Sequence, residues 1–150
     1  MHPRYLNEPV ESWTNLLPIA PEVVELLEDR ASAYNTLSFI ECDPIAIPHR
    51  FHKREDIEIA GLLTANIAWG RRASVLQSAE RLMGLMDWEP HAFITLASEE
   101  ELKPLGRFVH RTFQGEDALH FVRVLRRLYA NEGGLEAVLT GPVNPSDPDL

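Results

Sequence analysis

The chain has 150 residues, 45% of them hydrophobic and 25% charged, with a net charge of −9 at pH 7. This length fits one ordinary globular domain with a core of its own. A single cysteine, Cys42, excludes an internal disulfide, and no segment approaches the roughly 20 apolar residues of a membrane span or the pattern of a secretory signal. We therefore expect a soluble, cytoplasmic protein without a membrane segment.

The charge is distributed unevenly along the chain. Its acidic total argues against a nucleic-acid surface, because phosphate binding depends on Lys and Arg. Two basic islands stand out nevertheless: residues 61–86 have three arginines against one acid, and residues 106–130 have five arginines against two acids. Such islands are compatible with an anion-binding face and equally with ordinary helix surfaces.

The first predicted helix begins at Pro21, since proline is favoured in a first helical turn, and its apolar residues recur at helical spacing as far as Tyr34. Residues 1–20 then form an N-terminal extension to a helical domain that spans residues 21–140. The next segment, "NTLSFIECDPIAIPHR", is predicted to be an irregular connection, because a residue that precedes proline disfavours helix.

Two long helices are predicted between Pro48 and Pro90, where proline is absent. The first starts near Lys53, and Gly70 marks a break or sharp bend after it. Ile59 and Leu62 widen the apolar stripe of the first helix, so we expect that helix to be buried on most of its circumference. In both helices the stripe consists of apolar residues spaced three and four apart. These residues are Ile57, Ala60, Leu63, Ile67 and Ala68, then Val75, Leu76, Ala79, Leu82, Met83 and Met86.

Shorter elements are predicted next. Asp87 is expected to cap a short segment that ends at Leu96. Ser98 and Glu101 have the spacing of a capping box, which predicts a helix that ends near Gly106.

The strongest apolar stripe predicts a last long helix, introduced by Glu116 and Asp117 and closed by Gly133-Gly134. A final turn, "LEAVL", precedes residues 141–150, which are rich in proline and aspartate and are predicted to be disordered. No stretch alternates with a period of two, so we predict no sheet. The fold class is all-α, a single compact bundle of about six or seven helices.

His49 and His52 are candidate metal ligands, because cysteine and carboxylate residues lie nearby in sequence. The spacings H-E-x-x-H and E-x-x-H are absent, however, and a charged helix entrance explains the same residues. Cys42 lacks a recognisable nucleophile signature, and the chain has no glycine-rich phosphate loop. The residues therefore predict no catalytic group, no metal and no cofactor.

The segment "WGRR" is the first candidate for anion binding. A helix that stops at Gly70 and restarts with Arg71 and Arg72 can direct N–H and guanidinium groups at an anion. Trp69 beside arginines is typical of nucleic-acid surfaces, where stacking and charge combine. Because Trp69 also extends the preceding apolar stripe, we expect it in the core.

The second candidate is the segment "RFVHRTF", which contains Arg107 and Arg111, followed by three arginines on one helical face. Those three are Arg123, Arg126 and Arg127. This face is suited to phosphates, to the acids of a partner, or to the acidic N-terminal helix of the same chain.

Several segments in combination resemble a bacterial family called domain of unknown function 2400. The most specific are Asp43-Pro44, "REDIEIAG", "AWGRR" and "HRTFQGED". The C-terminal half of that family is distantly similar to the helix-hairpin-helix DNA glycosylases of base-excision repair. The resemblance implies a glycosylase-like helical domain, in which "GLLTANIAWGRR" would match the core helix before the hairpin.

The hairpin and the aspartate-bearing segment that glycosylase chemistry uses have no counterpart in this sequence. We therefore expect the N-terminal portion of a DNA-repair-like protein, binding DNA or RNA without a complete active site. One alternative is a protein-interaction or self-associating module. Another is a small-molecule enzyme with a polar cleft lined by His49, His52, His110 or Cys42.

Overall fold

The computed structural model describes residues 19–141 and divides the chain into two compact units, residues 1–39 and residues 40–150. The predicted extension, residues 1–20, and the predicted disordered tail, residues 141–150, lie almost entirely outside the described residues. The predicted all-α fold class is confirmed, because the described part of the chain is predominantly helical.

Helix α1 (Pro21–Tyr34) lies in the first unit and has the bounds that the sequence predicts. Pro21 occupies the first turn, and Glu22 lies near the positive end of the helix dipole. Among the described residues, α1 has no buried side chain. A helix that buries none of its apolar face depends on local interactions for its stability.

The predicted irregular connection is wrong in part. It contains helix α2 (Leu37–Cys42) and two 3-10 turns, Pro44–Ala46 and Pro48–Arg50. Short helices of this kind lack the long apolar periodicity that makes a helix recognisable in sequence. They bring the number of α-helices among residues 19–141 to eight.

Pro44 and Pro48 differ in the backbone conformation of the residue that precedes them. Asp43 is extended before Pro44, as expected, and its carboxylate accepts a hydrogen bond from the N–H of Ile45 at 3.1 Å. Ile47 is helical although it precedes Pro48, and its side chain is fully buried. Packing in the core therefore outweighs the local preference at Ile47.

The two long helices that flank Gly70 are confirmed as α3 (Arg54–Ile67) and α4 (Arg72–Gly84). Each turns one face to the core. The prediction that α3 is buried on most of its circumference is wrong, because Ile57, Ala65 and Asn66 are exposed. The apolar stripe of α3 is narrower than expected, because Ile57 is 40% exposed. The buried residues are Ile59, Ala60, Leu63, Thr64 and Ile67 of α3, and Val75, Ala79, Leu82 and Met83 of α4.

The prediction that Asp87 caps the next segment is wrong. Helix α5 (Pro90–Leu96) begins later, with Glu89 at its N-cap position. Asp87 and Trp88 instead form the connection from α4 and have φ angles of 54° and 57°. This left-handed pair turns the chain without a glycine, which sequence reasoning does not anticipate.

The capping box is confirmed at the start of helix α6 (Glu99–Leu102). The N–H of Glu101 donates to Ser98 Oγ at 3.4 Å, and the N–H of Ser98 donates to Glu101 Oε2 at 2.8 Å. The hydrogen bond from the Ser98 side chain is the main cause that lowers the pKa of Glu101. A 3-10 turn, Lys103–Arg107, ends this segment near Gly106, as predicted.

The prediction of no sheet is wrong in detail. Strands β1 (Val109–His110) and β2 (Phe113–Gln114) form an antiparallel hairpin in which His110 pairs with Phe113. Strands of two residues are too short to show a period of two, so the sequence pattern could not reveal them.

Helix α7 (Gly115–Asn131) follows the hairpin, and α8 (Leu135–Leu139) is the last described helix. The start of α7 lies directly against the 3-10 turn, since a Cβ atom at Gly115 would overlap the backbone of Gly106. The stripe of α7 faces inward through Ala118, Val122 and Leu125.

The core of the second unit draws side chains from every long helix of that unit and Leu105 from the 3-10 turn Lys103–Arg107. Burying one such large apolar side chain contributes about 1.5–3 kcal/mol, so this core is the main source of stability. Among residues 19–141, no helix is both long and apolar enough to cross a membrane. The largest fully buried side chains are Ile47, Ile59, Leu63, Ile67, Leu82, Met83, Met86, Ile94, Leu102, Leu105, Phe108 and Leu125.

Candidate anion-binding site

The break between α3 and α4 is a sharp turn at Gly70, whose φ angle of 108° favours glycine over any other residue. Ala68 ends α3, and Arg71 is extended at the N-cap position of α4 without a capping side chain. Trp69 therefore lies in the turn rather than in a helix and is 41% exposed. The expectation that Trp69 belongs to the core is wrong.

The β1–β2 hairpin places Arg111 against this turn. Arg111 is in the two-residue loop and has a φ angle of 57°. Its guanidinium carbon is 5.3 Å from the centroid of the Trp69 ring, which is a cation–π distance. A Cβ atom at Gly70 would meet the same guanidinium group, which is the end of a flexible, exposed side chain, so it is the backbone conformation that favours glycine there.

His110 fastens the hairpin to the turn and to α4. It is 5% exposed, and its Nδ1 lies 2.8 Å from Ser78 Oγ, while its Nε2 lies 3.5 Å from the carbonyl oxygen of Trp69. Since a carbonyl only accepts, the consistent arrangement has Nε2–H directed at Trp69 and Ser78 donating to Nδ1. His110 is thus a positioning residue in a structural hydrogen-bond network.

Arg81 and Arg107 extend the basic surface along the hairpin. Arg81 donates through Nη2 to the carbonyl oxygen of Val109, and its guanidinium carbon is 4.8 Å from the centroid of Phe108. Arg107 borders the same surface cavity as Arg81. Sequence reasoning counted Arg81 in the first basic island but did not choose it as a site residue, because nothing in the sequence connects it with the hairpin.

These contacts unite the two segments that the sequence presented as separate candidates. We call Arg71, Arg81, Arg107 and Arg111 the arginine patch, with Arg72 next to it as the first residue of α4. Within residues 19–141, the four side chains of the patch make no ion pair with a carboxylate. All four residues are exposed.

The three arginines of α7 differ in their surroundings. Arg126 is partly buried: its Nε donates to the carbonyl oxygen of Ile94 at 2.6 Å and its Nη2 to that of Ala97 at 2.7 Å. These bonds satisfy carbonyls at the end of α5, which a helix end otherwise leaves open. Arg123 lies 3.6 Å from Glu99 in an exposed ion pair, and Arg127 is exposed.

The histidines and the cysteine discussed for metal binding or catalysis are not brought together. Among residues 19–141, no group of three His, Cys, Asp or Glu side chains could hold a metal ion. His49 borders an apolar groove of about 460 Å³, whereas His52 and Cys42 are exposed and His110 is buried beside α4. The polar cleft that the enzyme hypothesis requires is therefore not formed by these four residues.

A polar cluster that the sequence did not reveal joins α3, α5 and α7. Tyr129 donates to Glu58 Oε2 at 2.7 Å, and its ring meets that of His91 edge-on at 5.0 Å. Lys53 Nζ lies 2.9 Å from His91 Nδ1, and Asp56 accepts from the N–H of His91 at 2.8 Å. Burial, followed by the bond to Glu58, raises the pKa of Tyr129 well above its ordinary value. The cluster links three helices by satisfied hydrogen bonds.

Comparison with known proteins identifies the family. A family model described as "Protein of unknown function (DUF2400)" matches residues 43–149. The chain belongs to this family. The resemblance to domain of unknown function 2400 is thereby confirmed, and both parts of the candidate site lie inside the matched residues. No curated protein and no solved structure matches the chain, so the similarity to DNA glycosylases stays a prediction.

Proposed function

We propose that this member of the DUF2400 family is a nucleic-acid-binding domain that uses the arginine patch. The observation that supports the proposal most is that Arg81, Arg107 and Arg111 lie around the β1–β2 hairpin, with Arg71 directly after the Gly70 turn. None of the four pairs with an acid among residues 19–141. Guanidinium groups are the preferred protein ligands of phosphate oxygens. A local patch of this kind attracts a polyanion even on an acidic protein, since salt screens distant charges.

The resemblance to base-excision glycosylases makes DNA in a repair context the expected nucleic acid. In this proposal the described residues bind and orient, and catalysis is not assigned to them. The single cysteine supports a reducing compartment, and the cytoplasm is the location that we infer.

The proposal is tested by the salt dependence of binding, measured by fluorescence anisotropy with single-stranded and duplex oligonucleotides. Arg71→Gln/Arg107→Gln should weaken binding about tenfold or more at low salt and reduce the slope of log affinity against log salt by about 2. The matched control, Arg123→Gln/Arg127→Gln, removes the same charge from α7 and should leave the slope nearly unchanged.

Two results would overturn the proposal. One is the absence of binding by the unmodified protein at about 50 mM salt, where electrostatic contacts are strong. The other is an equal loss of affinity in the patch variant and in the α7 control, because binding would then depend on the net charge of the protein and not on the arginine patch.

A second candidate function is protein interaction or self-association, and the observation in its favour is helix α1. Its apolar side chains are exposed, among them Val23, Leu26 and Leu27, with exposed fractions of 45%, 52% and 57%. Contiguous apolar surface of this kind is typical of interaction sites. Light scattering over a range of concentrations tests self-association directly, and a monomer throughout would remove that form of the hypothesis.

A further inference from the structure

Trp69 has the features of a binding platform rather than of a core residue. It is 41% exposed and lies between Ile67 and the glycine turn. The backbone N–H of Trp69 donates to the carbonyl oxygen of Ile67 at 2.8 Å. Arg71 follows two residues later, and Arg111 lies against the indole ring. An exposed aromatic ring is thus located inside the arginine patch.

The indole ring contacts two side chains of its own chain. The ring of His110 meets it edge-on at 5.9 Å with an interplanar angle of 86°, and His110 is itself held by Ser78 of α4. The guanidinium group of Arg111, in the hairpin loop, packs on the indole ring. A rigid aromatic side chain loses little conformational entropy on binding, which favours its use in recognition.

The other exposed tryptophan in the described residues differs in this respect. Trp88 is 36% exposed, but its ring stacks on Phe51 at 5.9 Å and has the Arg50 guanidinium carbon 5.2 Å from its centroid. Arg50 in turn pairs with Glu80 at 2.7 Å. Trp88 is therefore engaged by its own chain in a neutralised environment, and it provides a matched control.

We infer that Trp69 stacks on an unpaired base while the arginine patch holds the adjacent phosphates, so that the surface prefers single-stranded nucleic acid to duplex. Arginines alone bind the phosphates of either form, whereas stacking on a protein aromatic ring requires a base that is not already stacked inside a helix. The stacking is independent of base sequence, because every base has a π-face. This inference rests on the proposed function and specifies the form of nucleic acid.

The test compares oligonucleotide affinities of Trp69→Leu, Trp69→Phe and Trp88→Leu with those of the unmodified protein. Trp69→Leu should lose about tenfold or more in affinity for single strands, with the salt slope unchanged, because charge is preserved. Trp69→Phe should restore most of that affinity, and Trp88→Leu should retain it. Affinity for duplex should change little in all three, and DNA and RNA single strands should show the same dependence on Trp69.

A spectroscopic readout reports the stacking itself. The chain has three tryptophans, so Trp13→Phe/Trp88→Phe leaves Trp69 as the only indole fluorophore. Single strands should quench its emission, and duplex should not. If Trp69→Leu binds single strands like the unmodified protein, and the arginine variant does not, the inference fails and the proposed function survives. If the unmodified protein binds neither form, both fail.

Discussion

The arginine patch and the arginine row of α7 contain the same residue type in a similar number, yet the chain uses them differently. In the patch, Arg81 lies over Phe108 and Arg111 over Trp69, and none of the four arginines has an acidic partner among the described residues. In α7, Arg126 binds two carbonyl oxygens and Arg123 pairs with Glu99. The difference shows that the surroundings of an arginine, rather than its place on a helical face, determine whether its charge is available.

The largest effect is expected from removing the structural arginine of α7. Arg126→Met should lower the free energy of unfolding by about 2–4 kcal/mol, because two charge-assisted hydrogen bonds are lost and two partly buried carbonyls are left without a donor. Arg127→Met is the control and should change stability by less than about 0.5 kcal/mol. Urea denaturation followed by circular dichroism measures both. Equal stability of the two variants would show that Arg126 contributes no more to stability than Arg127 does.

A smaller loss is expected at the turn that supports the patch. Gly70→Ala should destabilise by about 1–3 kcal/mol, since alanine is strained at a φ angle of 108°. The matched variant is Gly84→Ala, whose added Cβ meets no atom within 4 Å and should be neutral or slightly stabilising. Denaturation curves of the pair decide the point. If the two variants proved equally stable, the backbone conformation at position 70 would not require glycine.

The smallest effect concerns the capping box beside α7 and depends on pH. Ser98→Ala should cost about 1 kcal/mol at neutral pH, as is usual for an N-cap side chain. The pKa of Glu101 is lowered in the folded state, so its contribution is present above the ordinary pKa of a glutamate and is lost as the pH falls through the folded value. The difference in stability between Ser98→Ala and the unmodified protein should therefore shrink in acid. A difference that stays constant down to about pH 3 would mean that the Glu101 charge does not contribute.

The long helices were predictable, and the contacts between them were not. The stripes that became α3, α4 and α7, the break at Gly70 and the capping box at Ser98 are local features that spacing reveals. His110 holds the β1–β2 hairpin to Ser78 and to Trp69, which lie 32 and 41 positions away in sequence. Local propensity carries no information about such packing.

The candidate site was predicted in its residues and missed in its assembly. Arg71 and Arg111 were both proposed as anion contacts, but in two separate islands, because a separation of 40 positions hides the proximity of Arg111 to the Gly70 turn. Trp69 was assigned to the core since it continues the spacing of α3, and only the turn at Gly70 removes it from that helix. Sequence spacing therefore identified the charges, and three-dimensional packing determined which of them lie together.

The conformation of Arg111 sets stability and charge against each other at one position. An arginine with a φ angle of 57° is less favourable than glycine or asparagine would be in the same hairpin loop, by about 1–2 kcal/mol relative to glycine. The chain thus carries a destabilising residue at the tip where its guanidinium group meets Trp69. Selection for stability alone would replace this arginine, whereas selection for an anion-binding surface would retain it. Stability and charge therefore favour different residues at position 111.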